Sequence, residues 1–497
     1  MSFGKGSPMV DSCRLYRLPL IPVTDQTTLM KASMTGSDSA SNSHPPALSM
    51  WMRFGQPLEA VIDDYGPIFD GWQAGGVKAI VVGRMLFADS DGTPMKVAAF
   101  DPNPDVYGAL DVEAPAAPAE KLVEKRASLA AALIDAKARG LEIYVFCPDA
   151  GQGPGGEGHH LADDKTLAAR VARVSDVMDA FPMVDGGILD GPELGYEIAP
   201  GHRSNIFEDM PETLRQPAAD LDFDYDALIG ARSAFETKLH NLQPSQIDLR
   251  ADGGFFGIFE LFDSNPDLAA WFAFRRALLS GYYRRQSDLI ASTTSRPVRV
   301  GVGSRLPCFT PLNGYDLHEM GHQYPFILPK LYFYHRGFDG FYGTIGRYIQ
   351  TLVEWNPSLS DAHAMKIVEG LFGVRLPWIR SRLDLDLGFP PQAFEEFVET
   401  ETKRMLAAVP SPDRVVPWVE AGREPHHGDP ISAGDLHRYL GAARDAGLER
   451  FLYHSHTHLS QSEWVVLSDL CGQPWLDGKP GYEPPDDLPW ESHAKRS

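Results

Sequence analysis

Cysteine is scarce in this chain: four residues in 497, Cys13, Cys147, Cys308 and Cys471, none close to another. No CxxC or other metal-type spacing exists, which argues against a structural zinc site, and nothing resembles the dense framework of a small secreted scaffold. Long apolar runs are missing as well. No stretch approaches the roughly 18 apolar residues of a membrane span. The short apolar stretch behind Arg14 and Arg17 is broken by Pro19 and Pro22, so it does not read as a signal peptide. Together these absences give a cytoplasmic protein as the expectation. Basic residues are in deficit: 45 Lys+Arg against 67 Asp+Glu give a net charge of −22. Such a surface repels phosphate backbones and anionic membranes, so neither nucleic acid nor a membrane is expected as a partner, and a neutral or cationic ligand fits better. The first βα turn has no GxGxxG, which weakens a dinucleotide-binding reading. No internal repeat of fixed short period is present.

What remains is an ordinary globular composition, 43% hydrophobic and 23% charged, enough to bury a large core. Residues 1–46 read as a lead-in, with a Ser-, Asn- and Pro-rich segment from Thr35 to Pro46. Short apolar runs then alternate with longer amphipathic ones. Eight runs read as strands: 47–53, 77–83, 141–147, 184–190, 297–303, one within 326–335, 415–420 and 450–455. Helices are expected near 58–73, 119–139, 161–181, 225–242, 268–291, 341–355, 362–372, 393–408 and 436–446. Alternating strands and helices point to parallel strands with right-handed crossovers, and eight such units favour a closed α/β barrel, the (β/α)8 or TIM barrel. It would run from 47 to 472, with long helical insertions after strands four and six and a tail at 473–497. The insertions leave a homo-oligomer open.

In such a barrel the chemistry lies just past the carboxyl ends of the strands. Strand one offers Arg53, strand two Arg84 and strand three Asp149. Strand four offers Asp190 and Glu193. Strand six offers His335, Arg336 and Asp339, strand seven Glu420, and strand eight His454, His456 and His458. The segment Lys330–Tyr342 packs aromatics, including Tyr334, around His335 and Asp339, a mixture suited to sugar faces and hydroxyls. Two carboxylates, after strands four and seven, form a pair. Glycosidic cleavage needs one protonated carboxyl at the leaving oxygen and one carboxylate at the anomeric carbon, roughly 5–5.5 Å apart when configuration is retained.

On those residues the chain resembles the retaining (β/α)8 glycoside hydrolases grouped as clan A. The resemblance implies that Glu193, in Leu189-Asp-Gly-Pro-Glu-Leu194, is the acid/base and that Glu420, in Pro417-Trp-Val-Glu-Ala421, is the nucleophile. It implies a carbohydrate or glycoside substrate and no cofactor or metal. Pro192 stands where that clan has Asn, so Asp190 is the candidate for the sugar 2-hydroxyl. Glu197 and Glu424 are nearby competitors. Arg53, Asp190, Tyr334, His335, Asp339, His454 and His456 are then expected to shape the sugar subsite.

Two rivals stay open. Tyr453-His-Ser-His-Thr-His-Leu459 sends His454, His456 and His458 to one side if the strand continues, and three imidazoles could hold a divalent metal in a metal-dependent barrel hydrolase or isomerase. Alternate Cβ atoms on a strand lie about 6–7 Å apart, wide for one ion. His426, His427 and Asp429 could join either scheme. The other rival is a carbohydrate-binding barrel without turnover.

Overall fold

Alternation along each strand decides which residues meet at the centre. In the computed structural model, β1 (Ser49–Phe54), β2 (Val77–Val82), β3 (Glu142–Pro148), β4 (Gly186–Asp190), β5 (Arg299–Ser304), β6 (Phe326–Pro329), β7 (Trp418–Val419) and β8 (Arg450–Tyr453) pair as parallel neighbours. The hydrogen-bonded order runs from β6 through β5, β4, β3, β2 and β1 to β8 and β7. Parallel bridges Ile327–Val415 and Lys330–Trp418 then join β6 to β7 and close the ring. The structure describes residues 46–54, 57–148, 161–333, 335, 337, 340–387, 390–420, 431–454, 456–475 and 482. The lead-in and most of the tail therefore lie outside the described residues.

One face of every strand fills the barrel. Trp51, Ala79, Val81, Tyr144, Phe146, Ile188, Phe326, Leu328, Val416, Trp418 and Leu452 form one buried cluster. Trp51 stacks on Tyr144 at 4.5 Å and meets Phe326 edge-on at 5.2 Å. Such aromatic pairs add about 0.5–1.5 kcal/mol each beyond their buried area. The bulk is accommodated on β5, where Gly301 leaves room for the Phe326 ring and a Cβ on Gly303 would stand 2.7 Å from Asp190 Oδ1. The opposite strand faces, including Met50, Met52, Ile80, Val82, Ile143, Val145, Val300 and Val302, pack outward under the helices.

The helices follow local rules. Asp163 caps helix Asp164–Ala180 by accepting from Lys165 N, and Leu167, Val171, Val174 and Met178 recur at helical spacing on its buried face. The insertion after β4 contains Tyr225–Leu239, Pro244–Arg250, Gly254–Leu261 and the long Pro266–Thr293. The one after β6 contains Phe341–Trp355, Asp361–Phe372, Arg382–Leu387 and Glu399–Leu406, the last entered through a π-helical turn at Phe394–Val398. Two expectations need correcting. The helix expected at 58–73 is two helices, Glu59–Ile62 and Tyr65–Ala74, separated at Asp63–Asp64. Between 83 and 119, where neither strand nor helix was expected, lie a small antiparallel ribbon, Leu86–Phe87 with Val97–Ala98, and a short helix, Pro104–Gly108. Among the described residues no helix is long and apolar enough to cross a membrane.

Candidate active site

Six of the eight barrel strands deliver a polar side chain one alternation beyond their last inward residue; β2 and β3 end there on Gly83 and Pro148. Trp51 is followed on the same face by Arg53, Ile188 by Asp190, and Gly303 by Arg305. Leu328 is followed by Lys330 and Tyr332, Trp418 by Glu420, and Leu452 by His454. All of these except Asp190 are buried, and Asp190 is half-buried.

Glu420 is the centre of the cluster. Its Oε2 lies 3.2 Å from His335 Nε2 and 3.1 Å from His454 Nδ1, and its Oε1 lies 4.0 Å from His458 Nδ1. The far nitrogen of His454, Nε2, is 2.7 Å from Arg53 Nη1. A guanidinium only donates, so Nε2 must accept and the single proton of neutral His454 sits on Nδ1, facing Glu420. Burial pushes the His454 pKa down to about 4, with Arg53 acting in the same direction and Glu420 against it. Burial also opposes ionisation of Glu420, but His454 and His335, donating to it, outweigh that and hold its carboxyl below the ordinary range. Tyr332 stacks on His335 at 4.3 Å, and its phenol is pushed upward by burial and by Glu420, so it stays neutral.

The other side of the mouth is built from ion pairs. Arg305 grips Glu193 in a bidentate fork, donating from Nε to Oε2 at 2.6 Å and from Nη2 to Oε1. This is the geometry of an arginine with an ionised carboxylate. Lys330 Nζ lies 3.2 Å from Asp190, whose carboxyl is penalised by burial yet held below its usual value by Lys330 and Arg305. The loop carrying Glu193 is anchored from behind. Tyr283 and Tyr315 donate to Pro192 O at 2.8 and 3.3 Å. Arg275, fully buried, donates to both oxygens of Asp209 at 2.7 and 2.8 Å, to Gly195 O, and to Leu312 O beyond β5 at 2.9 Å.

The sequence candidates are thus sorted. Arg53, Asp190, Glu193, His335, Glu420 and His454 line one mouth. Tyr334 and Asp339 lie outside the described residues, as do Asp149, Arg336, Glu424, His426, His427 and Asp429. Glu197 is committed elsewhere, accepting from Thr344 Oγ1 at 2.9 Å and Arg347 Nε at 3.1 Å. The histidine string does not continue the strand: β8 stops at Tyr453, and His456–His458 form a 3-10 turn. His456 therefore packs edge-on against Trp72 at 5.4 Å instead of joining His454. Arg305 and Lys330 were not among the candidates, although counting by twos past β5 and β6 reaches both.

The metal reading meets a specific obstacle here. A metal-bound imidazole carries its proton on the nitrogen away from the ion. Arg53 occupies that side of His454 as a donor, so Nδ1 has no lone pair to offer an ion. Among the described residues no group of three His, Cys, Asp or Glu is arranged to hold a metal.

The buried imidazoles carry a pH prediction. His454 and His456 both drop from 6.5 to about 4 on burial, so the unfolded chain binds protons that the native state refuses. Stability is then expected to be full above pH about 6.5 and to fall as pH drops toward about 4, by on the order of 2–3 kcal/mol for each ring. Melting temperatures measured across that window check this, and an unchanged value would contradict it.

No protein-family model matches the sequence, and no curated protein matches it. Solved structures of similar shape include the PgaB (BpsB) glycoside hydrolase domain of Bordetella bronchiseptica, at 12% identity and a TM-score of 0.45 over 87% of this chain and 99% of that one. A chitinase of Chromobacterium violaceum matches at 10% identity and 0.37, over 85% and 99%. An endo-1,4-beta-mannanase of Rhizomucor miehei matches at 8% and 0.40, over 84% and 87%. At TM-scores of 0.45 and below none of them assigns an activity.

Proposed function

We propose that this chain is a carbohydrate-active hydrolase that cleaves O-glycosidic bonds by double displacement, with Glu420 as nucleophile and Glu193 as acid/base. The observation that carries this reading is the state of Glu420: a buried carboxylate at the end of β7, ionised and aimed by two imidazole donors at 3.1 and 3.2 Å. A nucleophilic carboxylate needs that combination of charge and fixed direction. Glu420 attacks the anomeric carbon as the bond to the leaving oxygen breaks, and Glu193 supplies the proton to that oxygen. Water then attacks the glycosyl ester, Glu193 takes its proton, and Glu420 is released as a carboxylate. In the resting site Glu193 lies ionised in the Arg305 fork, so substrate entry has to open that fork and Glu193 has to take up a proton from water before it can deliver one to the leaving oxygen. Asp190, Arg53, His335 and His454 shape the sugar subsite, and no step uses a cofactor.

The leaving-group dependence tests the assignment. Glu193→Gln is expected to lower kcat/KM by about 10²–10⁴-fold on glycosides whose leaving group needs a proton, and to change kcat/KM little on activated aryl glycosides, where the loss falls on ester hydrolysis and so on kcat. Treatment with a chelator is expected to leave wild-type rates unchanged. Equal loss on both substrate classes removes Glu193 from the role, and activity lost to chelator and restored by zinc or manganese moves the reading to metal-assisted hydrolysis. One observation favours a second reading, a carbohydrate-binding barrel without turnover: Arg305 occupies both oxygens of Glu193. A glycoside panel that binds but is never cleaved identifies that case.

A further inference from the structure

Arg53 is a buried cation, 8% exposed, and among the described residues it reaches a carboxylate, Glu420, through His454. Its Nη1 donates to neutral His454, and its guanidinium lies over Phe146 at 5.0 Å and Trp418 at 5.8 Å. Its Nε–H has no hydrogen-bond partner, and no carboxylate lies within ion-pairing distance among the described residues. The Nε/Nη2 edge, the one that grips carboxylates side-on, is therefore unused. The inward-facing Trp418, whose ring stands 5.5 Å from that of His454, also has a buried indole N–H without a partner. Burying an unpaired guanidinium is costly unless something satisfies it. By contrast Lys330 and Arg305, the neighbouring cations, already hold Asp190 and Glu193.

We infer that the sugar bound at the cleavage point carries a carboxylate, as a hexuronic acid does, and that the Nε/Nη2 edge of Arg53 receives it. This rests on the glycosidase reading and deepens it. The chemistry makes the same demand. The transition state for glycosidic cleavage is an oxocarbenium-like cation, which would form beside the buried Arg53 charge. When Glu420 becomes an ester it loses its negative charge, and Arg53 loses its nearest anion through His454. A carboxylate on the sugar balances both changes. The acidic overall composition favours neutral or cationic ligands at the surface; the mouth, with its unmatched guanidinium, selects the opposite charge.

The test compares aryl glucuronides and galacturonides, both anomers, with the matching glucosides and galactosides. Uronides are expected to be hydrolysed with kcat/KM at least roughly ten-fold above their neutral counterparts, the scale of one charge-assisted fork. Arg53→Lys keeps the charge but not the fork, and is expected to bring that ratio close to one, mainly through KM. The wild-type ratio decides the substrate class whether or not the variant folds. Neutral glycosides cleaved as well as uronides would overturn the inference and leave the glycosidase reading standing. If no glycoside of either kind is cleaved, that reading falls, and calorimetric titration with glucuronate against glucose decides the inference separately: equal or absent binding of the two overturns it.

Discussion

Glu420→Gln is expected to reduce turnover by at least about 10⁴-fold while leaving a folded barrel, the scale seen when a nucleophile is removed from a site whose other parts persist. The amide is nearly isosteric with the carboxylate but carries no charge and forms no glycosyl ester. Its oxygen can still accept from His335 or from His454, whereas Oε2 of the carboxylate serves both. One buried donor is left poorly satisfied, at a cost of about 1–3 kcal/mol. The variant should therefore melt somewhat lower than the parent and retain sugar binding, because the subsite residues stay in place. Steady-state rates on a substrate that the parent cleaves, together with a melting curve, check both halves. Turnover within ten-fold of the parent would remove Glu420 from the chemistry.

The largest stability effect is expected at Arg275. Its guanidinium is fully buried and ties Asp209, Gly195 and Leu312 into one unit, linking the loop after β4 to the loop after β5. Those two loops carry Glu193 and Arg305. Arg275→Met takes the guanidinium from both oxygens of Asp209 and leaves that buried carboxylate with the Gly195 N–H at 2.6 Å, and breaking such a pair from one side costs about 3–5 kcal/mol. Burial already pushes the Asp209 carboxyl upward, with Arg275 opposing that rise, so without its partner Asp209 should titrate higher still. The double variant Arg275→Met with Asp209→Leu is expected to recover a large part of the loss, because no charge is then stranded. Urea unfolding of the parent, the single and the double variant measures this. A single variant costing under about 1 kcal/mol, or a double variant no better than the single, would contradict the account.

The barrel was legible because a strand buried on both faces leaves a dense apolar run. Val77–Val82, Glu142–Pro148 and Arg450–Tyr453 lie within two residues of the runs read from sequence. The run at 415–420 shrinks to Trp418–Val419 as a regular strand, since Pro417 has no N–H for the ladder, though Val415 and Trp418 still bridge to β6. The short ribbon at Leu86–Phe87 and Val97–Ala98 has two residues per strand, too few for period two to register. That Glu193 and Glu420 lie buried just past β4 and β7 was legible from the strand ends. Arg305 and Lys330 were passed over, although Arg53 was read from the same kind of position; the inward register of Gly301, Gly303, Phe326 and Leu328 is what places them in the mouth. The histidines misled for a related reason. Alternation holds only while the strand lasts, and the turn at His456–His458 sends His456 toward Trp72. What no local pattern conveys is the Arg53–His454–Glu420 relay, which joins residues 401 positions apart.

The most direct test of Glu420 as nucleophile is covalent trapping. A 2-deoxy-2-fluoro glycosyl fluoride of a sugar that the protein hydrolyses slows breakdown of the ester more than its formation, so the intermediate accumulates. Intact-mass measurement is expected to show one added sugar per chain, and peptide mapping is expected to place it on Glu420. A chain that turns over the parent glycoside yet shows no adduct, or carries the sugar on another side chain, would contradict the assignment.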